Sequence, residues 1–165
     1  MTTATPRPNH VLQLEDGPSQ RVSHLPNVRV LLVEDDYDAA RLSSRRLAWS
    51  PLANFQVDWA ASLPEGFEHI ERDEYDALVL DLSLPGSEGV STIAAVCALA
   101  RHLPIVILTG NDNDELAVAA LRHGAQDYLV KDDQTGRSIA RAVLAAVERQ
   151  RRVIEPAAQP RVTPS

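Results

Sequence analysis

The sequence predicts an α/β protein built on a parallel sheet with helices on both faces. Five short apolar runs alternate along the chain with longer stretches in which apolar residues have a helical spacing. Most of these runs are almost continuously apolar, which is typical of strands that are buried on both faces. The length of 165 residues fits one such domain with tails at its ends.

Each predicted strand is followed by a predicted helix, which gives five βα units in succession. The predicted strands are VRVLLV (28–33), FQVDWAA (55–61), DALVLDL (76–82), PIVILT (104–109) and DYLV (127–130). The predicted helices cover residues 38–50, 63–73, 89–101, 112–124 and 136–155. In the first helix the apolar residues with roughly helical spacing are Ala40, Leu42, Leu47 and Trp49.

Two strands have the features of sheet edges. FQVDWAA alternates apolar and polar residues like an outer strand, and DYLV is the shortest of the five. An edge position for the second strand predicts the order 2-1-3-4-5, a flavodoxin-like doubly wound (βα)5 fold. For the fourth helix we expect Asp112 or Asn113 as the N-cap and Gly124 as the residue that ends it.

The two ends of the chain differ in composition from the middle. Residues 1–27 are rich in Pro, Thr, Ser and Asn, which predicts a disordered arm in which HVLQLED could form a short strand. Residues 155–165 contain three prolines and are predicted to form a flexible tail. The folded domain is therefore expected at residues 28–154.

Charge and composition exclude several classes of function. The net charge of −7 argues against direct contact with nucleic acid, which needs a concentrated basic surface. No apolar run is long enough to span a membrane, and the N-terminus lacks the apolar segment of a secretory signal. The single cysteine, Cys97, excludes an internal disulfide and is expected to be buried in a helix. A cytoplasmic location is the simplest one for such a chain.

The predicted strand ends bring polar residues to one edge of the sheet. In an open α/β sheet, ligands bind beyond the carboxyl ends of the strands, here between the first and third strands. The residues at these ends are Glu34, Asp35 and Asp36 (strand 1), Asp81 (strand 3), Thr109 and Gly110 (strand 4), and Lys131 (strand 5). The convergence of acids, a hydroxyl and an ammonium from four strands predicts a functional site.

The residue types at this edge indicate metal-assisted phosphoryl chemistry. Clustered carboxylates favour Mg²⁺, with Mn²⁺ as the alternative ion, whereas the five histidines form no close pair with zinc-ligand spacing. One carboxylate could then attack phosphorus while the cation, the hydroxyl and the lysine neutralise the developing charge. Asp81 is the best candidate nucleophile and Asp35 the best metal ligand. Taken singly, such residues often have structural roles, and Asp36 or Asp38 is expected to cap the next helix.

At these residues the chain resembles the receiver domain of two-component response regulators. The resemblance covers roughly residues 28–150 and rests on VLLVEDD, YDALVLDLSLPGSEGV, PIVILTG and GAQDYLVK, in the order of the family. It implies that Asp81 accepts a phosphoryl group, assisted by Thr109 and Lys131. It also implies a switch formed by Thr109 and Tyr128, whose ring rotates inward when the hydroxyl moves. The implied ligands of Mg²⁺ are Glu34, Asp35, Asp81 and the backbone carbonyl of Ser83.

The chain departs from the usual pattern of the family at two places. Many receivers have proline after the lysine, whereas Asp132 follows Lys131 here, which makes a cis peptide bond less favourable. We expect no output domain after residue 155, so the expected resemblance is to stand-alone receivers. The apolar stripe of the last helix, which includes Val143, Val147 and Ile154, extends further than covering the sheet requires.

The resemblance implies a single-domain response regulator, which is a signalling switch and not a turnover enzyme. Its expected partners are a histidine kinase or phosphotransfer protein, a downstream protein target, and a second copy bound through the fourth helix, fifth strand and fifth helix. Two alternatives remain at this point. One is a pseudo-receiver that docks or dimerises without phosphorylation, and the other is a phosphatase that uses an aspartyl phosphate. Ser83 stands where such phosphatases have a second aspartate, which argues against the latter.

Overall fold

Strands and helices alternate strictly in the computed structural model, which describes residues 22–132 and 135–154. The strands are β1 (Asn27–Val33), β2 (Asn54–Ala60), β3 (Ala77–Asp81), β4 (Ile105–Thr109) and β5 (Asp127–Val130). The helices are α1 (Tyr37–Ala48), α2 (Leu63–Arg72), α3 (Val90–Leu99), α4 (Asp114–His123) and α5 (Thr135–Ile154). Every predicted element is present, with small shifts at its ends. The predicted tail, the HVLQLED segment and most of the predicted arm lie outside the described residues.

The five strands form one parallel sheet in the order β2-β1-β3-β4-β5. For example, Val30 of β1 pairs with Val57 of β2 on one side and with Ala77 of β3 on the other. This topology confirms the predicted flavodoxin-like order and the edge positions of β2 and β5. Parallel pairing also means that the carboxyl ends of all five strands lie at the same edge of the sheet.

Two apolar cores lie on opposite faces of the sheet. Successive strand residues point to opposite faces, so Leu32 belongs to the core that includes residues of α1 and α5, and Leu31 to the core that includes residues of α3 and α4. All residues of β3 and β4 are buried. The stripe on α5 is buried where it covers the sheet, at Val143 and Val147, whereas Ile154 is 68% exposed. No helix in the described part of the chain is long and apolar enough to cross a bilayer.

Side-chain caps fix where the helices begin and end. Asp36 accepts a hydrogen bond from the amide of Ala39 and so begins α1, which decides between the two predicted caps. Asn113 does the same for α4 through the amide of Leu116. Gly124 ends α4 with a φ of 108°, a left-handed conformation that favours glycine. Among the described residues every peptide bond is trans.

Some side chains lie differently from the simple sequence patterns. Leu42 and Trp49, which share the helical spacing of Ala40 and Leu47, are 51% and 57% exposed. Asp58 interrupts the expected alternation of β2, because it is buried and accepts hydrogen bonds from Arg29 and from the phenol of Tyr75. An edge strand can therefore carry a charged residue on its inner face when a cation from the neighbouring strand is paired with it.

Candidate functional site

The carboxyl edge of the sheet collects the polar residues that the sequence predicts there. Glu34 directly follows β1, Asp81 is the last residue of β3, Thr109 is the last of β4, and Lys131 directly follows β5. Asp81 pairs in register with Leu108, which places it beside the end of β4. The strands thus position two carboxylates, a hydroxyl and an ammonium without any contribution from a long loop.

Lys131 joins the acids of two strands. Its Nζ lies 2.5 Å from Oε2 of Glu34 and 2.9 Å from Oδ2 of Asp81. Both carboxylates are almost fully buried, and the Lys131 side chain is 28% exposed. The backbone amide of Lys131 donates to the carbonyl of Thr109 at 2.7 Å, which fixes the start of the loop after β5. Lys131 is therefore fixed at both ends, by the hydrogen bond of its backbone amide and by the two ion pairs of its ammonium.

The three groups influence one another's protonation. Burial raises the pKa of Glu34, the neighbouring Asp81 raises it further, and Lys131 opposes both, so that this pKa is about 7. Burial has the same effect on Asp81, but hydrogen bonds with Glu34, the amide of Ser83 and Lys131 outweigh it and lower the pKa of Asp81. Burial lowers the pKa of Lys131, yet the two carboxylates raise it on balance. The pKa values of Glu34 and Asp81 are therefore displaced in opposite directions, upward for Glu34 and downward for Asp81.

The acids at this edge suit a hard divalent cation. Glu34, Asp35 and Asp81 each offer a carboxylate oxygen, and these oxygens lie within 4.8 Å of one another. Asp35 is exposed, whereas the other two are buried, so a cation would have access from solvent on the Asp35 side. A donor set made only of oxygen fits Mg²⁺ or Mn²⁺ and lacks the nitrogen and sulfur ligands typical of zinc.

The loop after β3 lies close to the reactive carboxylate. The backbone amide of Ser83 donates to Oδ1 of Asp81 at 2.9 Å, so the two oxygens of Asp81 have different partners. Ser83 itself is exposed. Gly110, at the end of β4, lies near the Ser83 hydroxyl, where an added Cβ would be 3.9 Å from Oγ. The end of β4 therefore faces the loop that follows Asp81.

Thr109 and Tyr128 lie beside this group and are connected through the loop after β4. The Thr109 hydroxyl is buried and accepts a hydrogen bond from the amide of Asn111 at 3.2 Å. The phenol of Tyr128 donates to the carbonyl of the same residue at 3.3 Å. The Tyr128 ring is partly buried against the core formed with α3 and α4. The backbone of Asn111 is thus hydrogen-bonded to both the Thr109 hydroxyl and the Tyr128 phenol.

Sequence reasoning missed one residue at this site. The indole N–H of Trp59, on β2, donates to the backbone carbonyl of Glu34 at 2.6 Å. The DWA segment places this tryptophan near the carboxyl end of an edge strand, from which its side chain can reach the turn after the neighbouring strand. The pattern of apolar and polar residues cannot reveal such a hydrogen bond.

Comparisons with known proteins agree with this geometry. The family model of the response regulator receiver domain matches residues 30–143. The swarming motility regulation protein RssB of Serratia marcescens is 34% identical over 104 residues, covering 63% of this chain and 46% of that protein. The transcriptional regulatory protein PrrA of Mycobacterium leprae is 34% identical over 113 residues, covering 68% of this chain and 47% of that protein. The chain spans about half the length of these curated relatives.

A solved structure supports the fold independently of these sequences. The CheY-like response regulator receiver domain protein from Methanospirillum hungatei has a TM-score of 0.65 at 24% sequence identity. The match covers 76% of this chain and 98% of that one, and at this identity it concerns the fold alone. The family match extends from β1 into α5 and includes every strand end of the acidic site. The chain therefore belongs to the response regulator receiver domain family.

Proposed function

We propose that this receiver domain is a phosphorylation switch in which Asp81 accepts a phosphoryl group from a histidine kinase or phosphotransfer protein. The placement of Asp81 carries the proposal. Its carboxylate is buried, has a lowered pKa, and contacts Lys131 beside two further acids. A carboxylate that remains ionised while shielded from water is suited to nucleophilic attack when a cation offsets its charge.

The proposed step is a simple displacement at phosphorus. An oxygen of Asp81 forms a bond to phosphorus while the bond from phosphorus to the donor's imidazole nitrogen breaks, and the electron pair returns to that nitrogen. Lys131 and the Thr109 hydroxyl then stabilise the phosphoryl oxygens. The domain carries out its own phosphotransfer and the later loss of the group, so it is a switch and not a turnover enzyme.

A divalent cation completes the proposed site. The proposed ligands of Mg²⁺ (or Mn²⁺) are Glu34, Asp35, Asp81 and the backbone carbonyl of Ser83. When bound, the ion offsets the charge of the acids and of the phosphoryl group. This supports a dependence on Mg²⁺, because one lysine cannot neutralise the acids and a phosphoryl group together.

The signal is proposed to leave through contacts with other proteins. Movement of Thr109 toward a phosphoryl oxygen would alter the loop at Asn111, to which Tyr128 is hydrogen-bonded. The neighbouring face of α4 exposes Val118 and Leu121, by 47% and 52%, which suits a downstream protein or a second copy bound through α4, β5 and α5. The absence of direct nucleic-acid contact remains a prediction based on the net charge of −7. The cytoplasmic location is also a proposal, supported by the free, buried Cys97.

Incubation with Mg²⁺ and a small phosphodonor such as acetyl phosphate tests the proposed function. We expect intact-mass measurement to show the gain of one phosphoryl group, and chelation of Mg²⁺ to prevent it. Asp81→Asn should abolish the gain. Asp38→Asn, which alters an exposed acid in the first turn of α1, should leave it unchanged and serves as the matched control.

Either of two results would contradict the proposal. No mass gain in the unaltered protein would favour a docking module that works without phosphorylation. A gain that survives Asp81→Asn would move the acceptor to another residue. Light scattering with and without beryllofluoride, a phosphoryl analogue, tests the proposed dimer, and an unchanged monomer mass in both conditions would contradict that part.

A further inference from the structure

Trp59 contacts the acidic turn (Glu34, Asp35 and Asp36) although it lies on a different strand. Its side chain is 8% exposed, and its indole N–H donates to the Glu34 carbonyl at 2.6 Å. On β2, Trp59 pairs in register with Leu32 of β1, two residues before Glu34. The side chain therefore reaches forward from the edge strand to the point where β1 ends.

The hydrogen bond from Trp59 fixes the peptide unit that joins the two proposed metal ligands of this turn. The amide of Glu34 already donates to the carbonyl of Ala60 at 3.0 Å, which extends the pairing of β1 and β2 by one residue. The Glu34 carbonyl belongs to the peptide that connects Glu34 to Asp35. With both its amide and its carbonyl bonded to β2, Glu34 has little freedom to rotate, and the direction of Asp35 is set with it.

The same indole also contacts the far end of the turn. Tyr37 is the first residue of α1, and its ring packs against that of Trp59 edge to face, with ring centroids 5.6 Å apart. The amide of Asp36 donates to the Glu34 carboxylate at 3.1 Å, which closes the turn on itself. Trp59 therefore contacts Glu34, one residue before Asp35, and Tyr37, two residues after it, whereas the side chain of Asp35 itself is exposed.

We propose that Trp59 is a positioning residue that orients the acidic turn for divalent-cation binding. The inference rests on the proposed function, because it assumes that Asp35 is a ligand. Partners that orient a ligand without touching the ion typically change metal affinity by roughly tenfold or more. A second consequence is that the indole lies close enough to the turn for its fluorescence to report when the turn is occupied.

Trp59→Phe removes the N–H donor and keeps an aromatic ring against Tyr37. We expect the Mg²⁺ dissociation constant, measured by calorimetry, to rise roughly tenfold. The rate of phosphorylation by acetyl phosphate should fall at limiting Mg²⁺ and return to the rate of the unaltered protein at saturating Mg²⁺. Trp49→Phe is the matched control, because Trp49 is 57% exposed at the end of α1, and it should change neither quantity. A purely structural role for Trp59 would lower stability without this dependence on Mg²⁺ concentration.

Fluorescence provides a readout that does not depend on the folding of the Trp59 variant. In the Trp49→Phe protein, the remaining indole emission should change with Mg²⁺ at the same midpoint as the calorimetric titration. Unchanged emission, or equal Mg²⁺ affinities for Trp59→Phe and the unaltered protein, would overturn the inference. Failure of the unaltered protein to bind Mg²⁺ at all would instead contradict the proposed function, so the two failures are distinguishable.

Discussion

Lys131 is the one lysine in the chain, and every other basic side chain is an arginine or a histidine. Its ammonium is a compact charge that contacts Glu34 and Asp81 at the same time. The planar guanidinium of arginine needs more space and presents its donors in a fixed fork. The choice of lysine at this position therefore follows from the narrow gap between two buried carboxylates.

Lys131→Arg should behave as a disruptive substitution in spite of the retained charge. The larger head group cannot occupy the same gap without displacing Glu34 or Asp81, and we expect phosphorylation by acetyl phosphate to slow on the order of tenfold or more. Initial rates at saturating Mg²⁺ measure the effect. Arg101→Lys, an exchange of the same two residue types at an exposed position, should leave the rate unchanged. Equal rates for Lys131→Arg and the unaltered protein would show that the charge alone is sufficient.

Tyr75 should resist ionisation as long as the protein is folded. Its phenol is partly buried and donates to Asp58 at 2.9 Å, and both effects raise its pKa above the ordinary range. Because the folded state holds this proton more tightly than the unfolded state, the free energy of unfolding should fall as pH rises above about 10. Phenolate absorbance during an alkaline titration follows the ionisation of the tyrosines, including any that accompanies unfolding. We expect one phenolate to appear only as the protein unfolds, and this late step to be missing in Tyr75→Phe. Ionisation of Tyr75 in the folded protein at the ordinary pKa of tyrosine would contradict the assignment.

Helix α2 packs closely against the strand that leads into the site. Gly66 is buried, and a Cβ at this position would lie 2.9 Å from a methyl carbon of Val33, closer than such atoms normally approach. Val33 is a stiff β-branched residue at the end of β1, directly before Glu34, so it cannot easily move aside. The glycine thus allows the helix to approach the acidic edge.

Gly66→Ala should destabilise the protein although alanine favours helix. The gain in helix propensity is about 1 kcal/mol, whereas overpacking a buried contact costs typically 1–3 kcal/mol. We therefore expect the free energy of unfolding to fall by about 1 kcal/mol, as measured by urea denaturation. Glu68→Ala, at an exposed position of the same helix, is the control and should be nearly neutral. A more stable Gly66→Ala protein would mean that Val33 and β1 can move away from the added methyl group with little loss of stability.

Elements with a strong local signal are those that the sequence predicts best. Buried strands such as β4 have unbroken apolar runs, and α4 has a cap residue at one end and glycine at the other. Interactions between distant residues are not encoded in such patterns. The burial of Asp58 depends on Arg29 of the neighbouring strand, and the contact of Trp59 with Glu34 depends on the register of two strands. The acidic residues were predictable because parallel strands end at one edge, whereas these supporting contacts were not.

Two groups of paired charges lie in different parts of the described sheet. Lys131 and its acids lie at the carboxyl edge, while Arg29, near the start of β1, is paired with Asp58 and contacts the ring of Tyr75. The acids at the carboxyl edge exceed the one ammonium that contacts them. The folded state therefore contains a site where a divalent cation would relieve repulsion, and cation binding is expected to stabilise the fold as a whole.

Mg²⁺ should raise the free energy of unfolding, because the unfolded chain does not assemble the acidic site. A ligand at a concentration one hundred times its dissociation constant stabilises a protein by about 2.7 kcal/mol. Urea denaturation with and without Mg²⁺ measures this difference. Asp35→Asn should remove most of the gain while leaving the stability of the metal-free protein close to its original value, because Asp35 is exposed. Asp132→Asn, an equal change of charge in the loop after β5, should keep the full gain. An identical denaturation midpoint with and without Mg²⁺ in the unaltered protein would show that the acids at the carboxyl edge do not form a cation site.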